Sequence, residues 1–473
     1  MLLSSIIKFS DFNIYRLILI IIVLSLNCYG HISNESKKDS LMYNELEYYL
    51  KQNILDTWYP RIIDQENGGY YSIYDREWNL ISPFPKMIVH QTRCLWTAAK
   101  AARRYPDVKK FVRAAAHGYD FLKNKAWDKN YGGFFQIVIA EDPAKRQTFK
   151  TAYGNAFGIY ALSAYYQLSG KDEVLNLAKE TFYWLEQYCH DKEYGGYFNY
   201  RNRKGESFEE TDQFTDTTVH QENWPYYKYK DYNSTIHLME AFTALYKLWP
   251  DSLLKDRLQE LFLIVRDKII NKKGYLEMHF DREWNPISLD NYNRQKVIAN
   301  SWLDHVSFGH DMETAFLLLE TESVLKNKYS SSTYKVAEKL MNHSIENGFD
   351  KNYSGIFYEG FYFAEDSITI INRDKEWWPQ AEGINALLMM SYLEKSSELY
   401  KKVFYDLWDF IKKYQIDTVY GGWYRKSIDQ DPQENRKLTK AGPWKSCYHT
   451  YRAISQSMAM LKHNKPIFEI DKK

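Results

Sequence analysis

Cysteine, long apolar runs and net charge are all scarce in this chain of 473 residues. It has 4 cysteines, Cys28, Cys94, Cys189 and Cys447, spaced neither as a disulfide framework nor as a zinc signature. The three beyond residue 30 are expected to be small buried hydrophobes. Lys+Arg (62) and Asp+Glu (61) nearly cancel and no basic block stands out, so nothing recommends a nucleic-acid or anionic-surface partner. No nucleotide-cradling glycine loop and no metal-ligand cluster occurs, so neither cofactor nor metal is expected. A single apolar run stands out, Leu17 to Leu24, preceded by Lys8 and Arg16. It is short for a bilayer span and reads as the core of a signal peptide over residues 1–30, with an uncleaved N-terminal anchor as the alternative. The expectation is an exported or membrane-anchored protein (secreted, periplasmic or secretory pathway), or a cytoplasmic one if the extension is not a functional signal. Residues 31–43 read as a polar linker and 466–473 as a polar tail.

Aromatic residues are abundant: 41 Tyr, 25 Phe and 14 Trp, 17% of the chain. Many belong to a core, yet such rings also suit a pocket that stacks on sugar faces. Some of them mark an internal repeat. Asn67-Gly68-Gly69-Tyr70 recurs as Tyr131-Gly132-Gly133-Phe134 and Tyr194-Gly195-Gly196-Tyr197. It returns weakened as Lys273-Gly274-Tyr275 and Tyr353-Ser354-Gly355-Ile356-Phe357, and again as Tyr420-Gly421-Gly422-Trp423. Asp64, Asp128, Asp191, Asp350 and Asp417 stand just upstream of most copies. Between copies lie stretches of helical spacing, such as Ala156 to Leu168 and Met312 to Leu325, with room for two helices each. Hairpins that cannot bury an apolar face alone can do so in a closed ring. The prediction is therefore an all-α (α/α)6 barrel, a toroid of six helical hairpins with short β-segments in the loops at one mouth. No Pro/Gly/Ser-rich linker interrupts residues 44–465, which read as one domain, the fourth unit being the longest and least regular (Asn271 to Asn300).

Inner helices of such a ring can present polar side chains to a central cavity. Asn233, His237 and Glu240 share one helical face, and the His-x-x-Glu spacing returns one repeat later at His310 and Glu313. Arg93 sits in an otherwise apolar helix, Trp377-Trp378-Pro379 opens another, and Trp444 and His449 fall in the sixth hairpin. Two imidazoles across a cavity, with an arginine, suit proton exchange α to a carbonyl. One removes the proton, the cation stabilises the enediolate, and the other returns a proton from the opposite face. A glycoside hydrolase would need two carboxylates flanking the scissile bond, for which Asp311 and Glu382 are candidates, but it would leave the histidines unexplained.

At these residues the chain resembles the N-acylglucosamine 2-epimerase superfamily, and within it the cellobiose 2-epimerases. The resemblance runs from about Asp56 to about Arg452. It is carried by Asn233-x-x-x-His237-x-x-Glu240, Gly309-His310-Asp311-x-Glu313, Trp377-Trp378-x-Gln380-Ala381-Glu382 and Gly442-Pro443-Trp444-Lys445-x-x-Tyr448-His449-x-x-Arg452. It implies an (α/α)6 barrel and a cofactor-free isomerase acting on a small carbohydrate as a monomer or homodimer. By the resemblance, His310 and His449 exchange the C2 proton, Glu313 pairs with the first, and Arg93 stabilises the enediolate oxygen. His237 serves ring opening. Asn233, Glu240, Tyr153, Trp377, Trp378 and Trp444 contact the sugar. The flanks of His449 and the Asn271–Asn300 insert depart from the family pattern. The expected reaction is C2 epimerisation of the reducing-end residue of a β-1,4-linked disaccharide. The alternatives are a mannose-isomerase-type aldose–ketose isomerase, an N-acylglucosamine 2-epimerase, or a non-catalytic sugar-binding protein.

Overall fold

A computed structural model describes residues 37–83, 85–139, 149–208, 228–363, 367–393 and 398–470. The signal-peptide segment and residues 31–36 lie outside them. Twelve helices make the frame. They are α1 (residues 37–58), α2 (Ile88–Arg104), α3 (Lys109–Phe121), α4 (Ala152–Ser169), α5 (Asp172–Tyr188) and α6 (Tyr232–Tyr246). Then come α7 (Ser252–Ile264), α8 (Phe308–Lys326), α9 (Ser331–Asn347), α10 (Trp377–Ser391), α11 (Glu398–Phe410) and α12 (Tyr448–His463).

The even-numbered helices form the inner ring. Each packs on the next, α2 on α4, α4 on α6, then α8, α10 and α12, and α12 returns to α2. Inner helices are covered on both sides, and their burial shows it: every residue of α10 is buried. The odd-numbered helices lie outside, each on its inner neighbour, with only one flank buried. The sixth hairpin is discontinuous, for α12 packs on α1 and so joins the two ends of the chain. This corrects both predicted polar ends. Residues 37–43 are helical, Met42 is buried, and Asp39 accepts from Tyr405 at 3.1 Å, because α12 would otherwise lack an outer partner. Residues Ile467–Ile470 form a further helical turn that buries Ile467 and Phe468. Among the described residues no helix is long and apolar enough to cross a membrane.

The repeated loops cap one mouth of the ring, at the N-terminal ends of the inner helices. Gly69 has φ 68°, and a Cβ there would lie 2.5 Å from Gln91 Oε1, so only glycine fits against α2. Its neighbour Tyr70 donates its backbone N–H to that same Oε1 at 2.7 Å. Short antiparallel strands pair successive units, such as Lys86–Met87 with Ile137–Val138 and Phe149–Thr151 with Tyr200–Asn202.

A second element of the repeat escaped the sequence reading. The upstream aspartates are each bonded to a buried lysine that precedes an inner helix. The pairs are Lys86–Asp64 (2.7 Å), Lys150–Asp128 (3.1 Å), Lys230–Asp191 (3.0 Å), Lys375–Asp350 (2.8 Å) and Lys440–Asp417 (2.7 Å). In all but the last the lysine stands two residues before the helix start; Lys440 lies further upstream of α12. The fourth unit has Asn271 and Val306 at the two positions, so charge is lost from both partners together.

Candidate active site

The mouth opens into a cavity of about 320 Å³ lined by Arg93, Tyr153, Asn233, His237, His310, Glu313, Trp377, Trp378, Trp444 and His449, together with Tyr358, Glu376 and Arg425. Ten of the eleven residues expected at the site therefore converge, from all six inner helices or the loops that lead into them. Glu240 is the exception. It stands behind His237, its Oε2 2.9 Å from His237 Nδ1 and its Oε1 accepting from Tyr448 at 3.1 Å. It orients the imidazole and does not face the cavity, which corrects its expected place among the substrate contacts.

His310 is also held differently from expectation. Its Nδ1 lies 2.7 Å from Tyr232 Oη and 2.7 Å from Ser307 Oγ, and the expected pairing with Glu313 is not made. Both residues share a helical face, but Glu313 is drawn instead to the guanidinium of Arg452. Burial, reinforced by the charges of His237, His305 and Arg93, holds His310 well below the usual imidazole range. It is neutral at pH 7.

On α12, His449 Nδ1 lies 2.6 Å from Glu382 Oε1. Burial, with Arg93 and Arg452 nearby, keeps this imidazole neutral too. Trp378, on the intervening inner helix α10, lies near both rings, its centroid 4.3 Å from that of His310 and 6.0 Å from that of His449. Arg93 is fixed by Tyr153 Oη at 3.0 Å and the Trp444 carbonyl at 3.2 Å, while its Nε has no hydrogen-bond partner among the described residues. Asn233 Oδ1 is likewise unpartnered.

Beneath the cavity, Arg452 is fully buried and bonded to Glu240, Glu313 and Glu382, the last at 2.8 Å. One guanidinium cannot neutralise three buried carboxylates, so their ionisation splits. Glu240 resists burial because Arg452 and His237 outweigh it, and its carboxyl falls to about 2. Glu382 does not, because burial outweighs Arg452 and Glu313 adds repulsion, and it rises to about 8. It therefore carries a proton at neutral pH, hydrogen-bonded to His449. Ligand atoms of Glu313, Glu382 and His449 lie within 4.8 Å of one another, a spacing that can hold a metal ion. Arg452 already supplies positive charge to both carboxylates.

Sequence reasoning had no role for Arg452 and gave Glu382 only to the rival hydrolase. Their signal was present: both fall inside the quoted motifs at helical spacing from Trp378 and His449. Asp311, the other hydrolase candidate, is committed elsewhere. It accepts the Leu276 N–H at 3.0 Å, and burial raises its carboxyl well above the usual range. It does not line the cavity.

A second cavity of about 260 Å³ adjoins the first and shares Tyr153, Asn233 and Trp444 with it. Tyr200, Tyr229, Tyr232 and Trp302 add aromatic wall, and the irregular fourth unit contributes Trp302, His279 and His305.

Comparison with known proteins agrees with this fold. Cellobiose 2-epimerase of Bacteroides fragilis is 28% identical over 420 residues, covering 88% of this chain and 98% of that protein. The D-mannose isomerase of Marinomonas mediterranea is 24% identical over 409 residues, covering 85% and 94%. The structure of cellobiose 2-epimerase from Bacillus thermoamylovorans superposes with a TM-score of 0.75 at 27% identity, over 90% of this chain and 100% of that one. A family 76 α-mannanase from Bacteroides thetaiotaomicron shares only the fold, with a TM-score of 0.55 at 10% identity. The profile of the N-acylglucosamine 2-epimerase (GlcNAc 2-epimerase) family matches residues 68–453. With six hairpins closed around that cavity, this chain belongs to the N-acylglucosamine 2-epimerase family, an isomerase family.

Proposed function

We propose that the protein interconverts the gluco and manno configurations at C2 of the reducing-end residue of a β-1,4-linked disaccharide. The observation that carries this reading is the pair of neutral imidazoles, His310 and His449, that line one cavity from two different inner helices, with Trp378 near both. A neutral imidazole can accept the C2 proton, and a second one on the opposite side can return a proton to the other face. The Arg93 guanidinium offsets charge developing on the enediolate oxygens. His237, oriented by Glu240, is placed to assist opening of the sugar ring. Glu382 supports His449 as a proton reservoir: the carboxyl donates to Nδ1 as Nε2–H is given up to carbon. Glu313 contributes by holding Arg452. Two adjoining aromatic cavities suit two sugar units better than one. Bases on two sides favour epimerisation over an aldose–ketose shift, which returns the proton to C1. The apolar run at residues 17–24 supports export as the destination.

Proton NMR of cellobiose incubated with the enzyme in heavy water tests the reading. The expected result is deuterium at C2 with growth of the manno epimer. Absence of both across a panel of β-1,4 disaccharides would refute it, and a ketose product would assign the isomerase reaction instead.

A further inference from the structure

The sequence spreads its cysteines far apart, but ring closure brings two of them together. Cys94 lies on α2 and Cys447 immediately precedes α12, so they face one another across the seam where the last inner helix meets the first. Three contacts locate the Cys447 thiol. Tyr59 Oη lies 3.8 Å from its Sγ while donating to the Cys94 carbonyl at 2.7 Å. The Cys94 thiol and the Thr97 hydroxyl, both on α2, are polar neighbours of the same sulfur. Both cysteines are completely buried, as is Cys189, which lies just beyond α5, an outer helix that does not border this seam.

We propose that Cys94 and Cys447 are a disulfide-forming pair that staples this seam. The oxidant is a disulfide of the glutathione or thiol-oxidoreductase class. One cysteine thiolate attacks it, forming a mixed disulfide and releasing one thiol. The second cysteine thiolate then attacks the mixed disulfide, giving the Cys94–Cys447 bond and releasing the other thiol, so two electrons and two protons pass to the oxidant. Tyr59, at the end of α1, covers the pair, so exchange takes place before α1 docks or when it opens.

The position is where a cross-link does most. It closes nearly the whole barrel into one loop, and the loss of unfolded-state entropy grows with loop length. It also ties together the segments carrying Arg93 and His449.

The test uses the full chain, both refolded from denaturant and held native in sub-denaturing urea, in glutathione buffers of stepped redox ratio. Digestion without reduction should yield a peptide pair joining positions 94 and 447. Titratable thiols in denaturant should fall by two relative to the reduced protein. The thermal midpoint should stand roughly 5 °C above that of the reduced form. Cys94→Ser should keep its turnover and show the same midpoint with and without reductant. The proposal is overturned by an undiminished thiol count with no linked peptide at the most oxidising ratio, or by a linkage through Cys28 or Cys189 instead.

Discussion

Lys86→Val tests the buried pairs that repeat around the barrel. The side chains of Lys86 and Asp64 are both fully buried and their charged atoms lie 2.7 Å apart. Removing the lysine strands a carboxylate in the interior, which costs about 3–5 kcal/mol when nothing replaces the partner. Asp64 keeps the backbone N–H groups of Glu66 at 3.0 Å and Asn67 at 2.8 Å, so the lower end, about 3 kcal/mol, is expected. The fourth unit shows how the loss is tolerated. There Asn271 Oδ1 accepts from the backbone N–H groups of Lys273 at 2.9 Å and Gly274 at 3.0 Å, keeping the turn without charge. Asp64→Asn combined with Lys86→Val should therefore cost less than about 1 kcal/mol, a coupling of about 2 kcal/mol or more between the two sites. Urea unfolding of the four proteins in the cycle measures it directly. If Lys86→Val costs under 1 kcal/mol, or the double variant is as unstable as the sum of the singles, the buried pairs do not act as argued.

Three other outcomes follow from the site and its frame. Glu382→Gln should lower kcat by about 10²–10⁴-fold. In the wild type, the protonated fraction of Glu382 falls as pH rises through about 8, so kcat should decline there; the variant's profile should lack that limb. For Asp417, whose carboxyl is held at about 2 because Arg76 and Lys440 outweigh burial, the folded value lies below the unfolded one. Its stabilisation is present above pH ~4 and lost as pH falls toward ~2, so acid-unfolding curves of Asp417→Asn should be flatter through that window. Gly69→Ala puts a Cβ 2.5 Å from Gln91 Oε1 at positive φ and should destabilise by about 2 kcal/mol or more, read as a lowered urea midpoint.

Glycine pairs and the aromatic after each one betray the repeat, because a turn at positive φ tolerates little else. Polar residues at helical spacing inside apolar stretches betray the inner helices. Hence the ring, its six units and nine of the cavity-lining residues were legible without coordinates, and the family resemblance added Tyr153. Helical spacing, however, reports only which side chains share a face and leaves their partners open. His237 and Glu240 make the i,i+3 bond, whereas His310 and Glu313, with the same spacing, do not. The difference is Arg452, which arrives from α12 and competes for Glu313.

What the chain by itself determined is therefore the local periodic order: which segments turn, which coil into helices, and which faces carry imidazole, indole and guanidinium. Tertiary closure decided the rest, because it brings α12 back to α1 and α2. That step turned a supposed linker into the outer half of the sixth hairpin. It set Glu382 behind the His449 imidazole, left His310 without Glu313, and gave three carboxylates a single guanidinium to share. It also brought Cys94 against Cys447. Ionisation depends on burial and on neighbours from other helices, so no residue spacing along one helix could have encoded it.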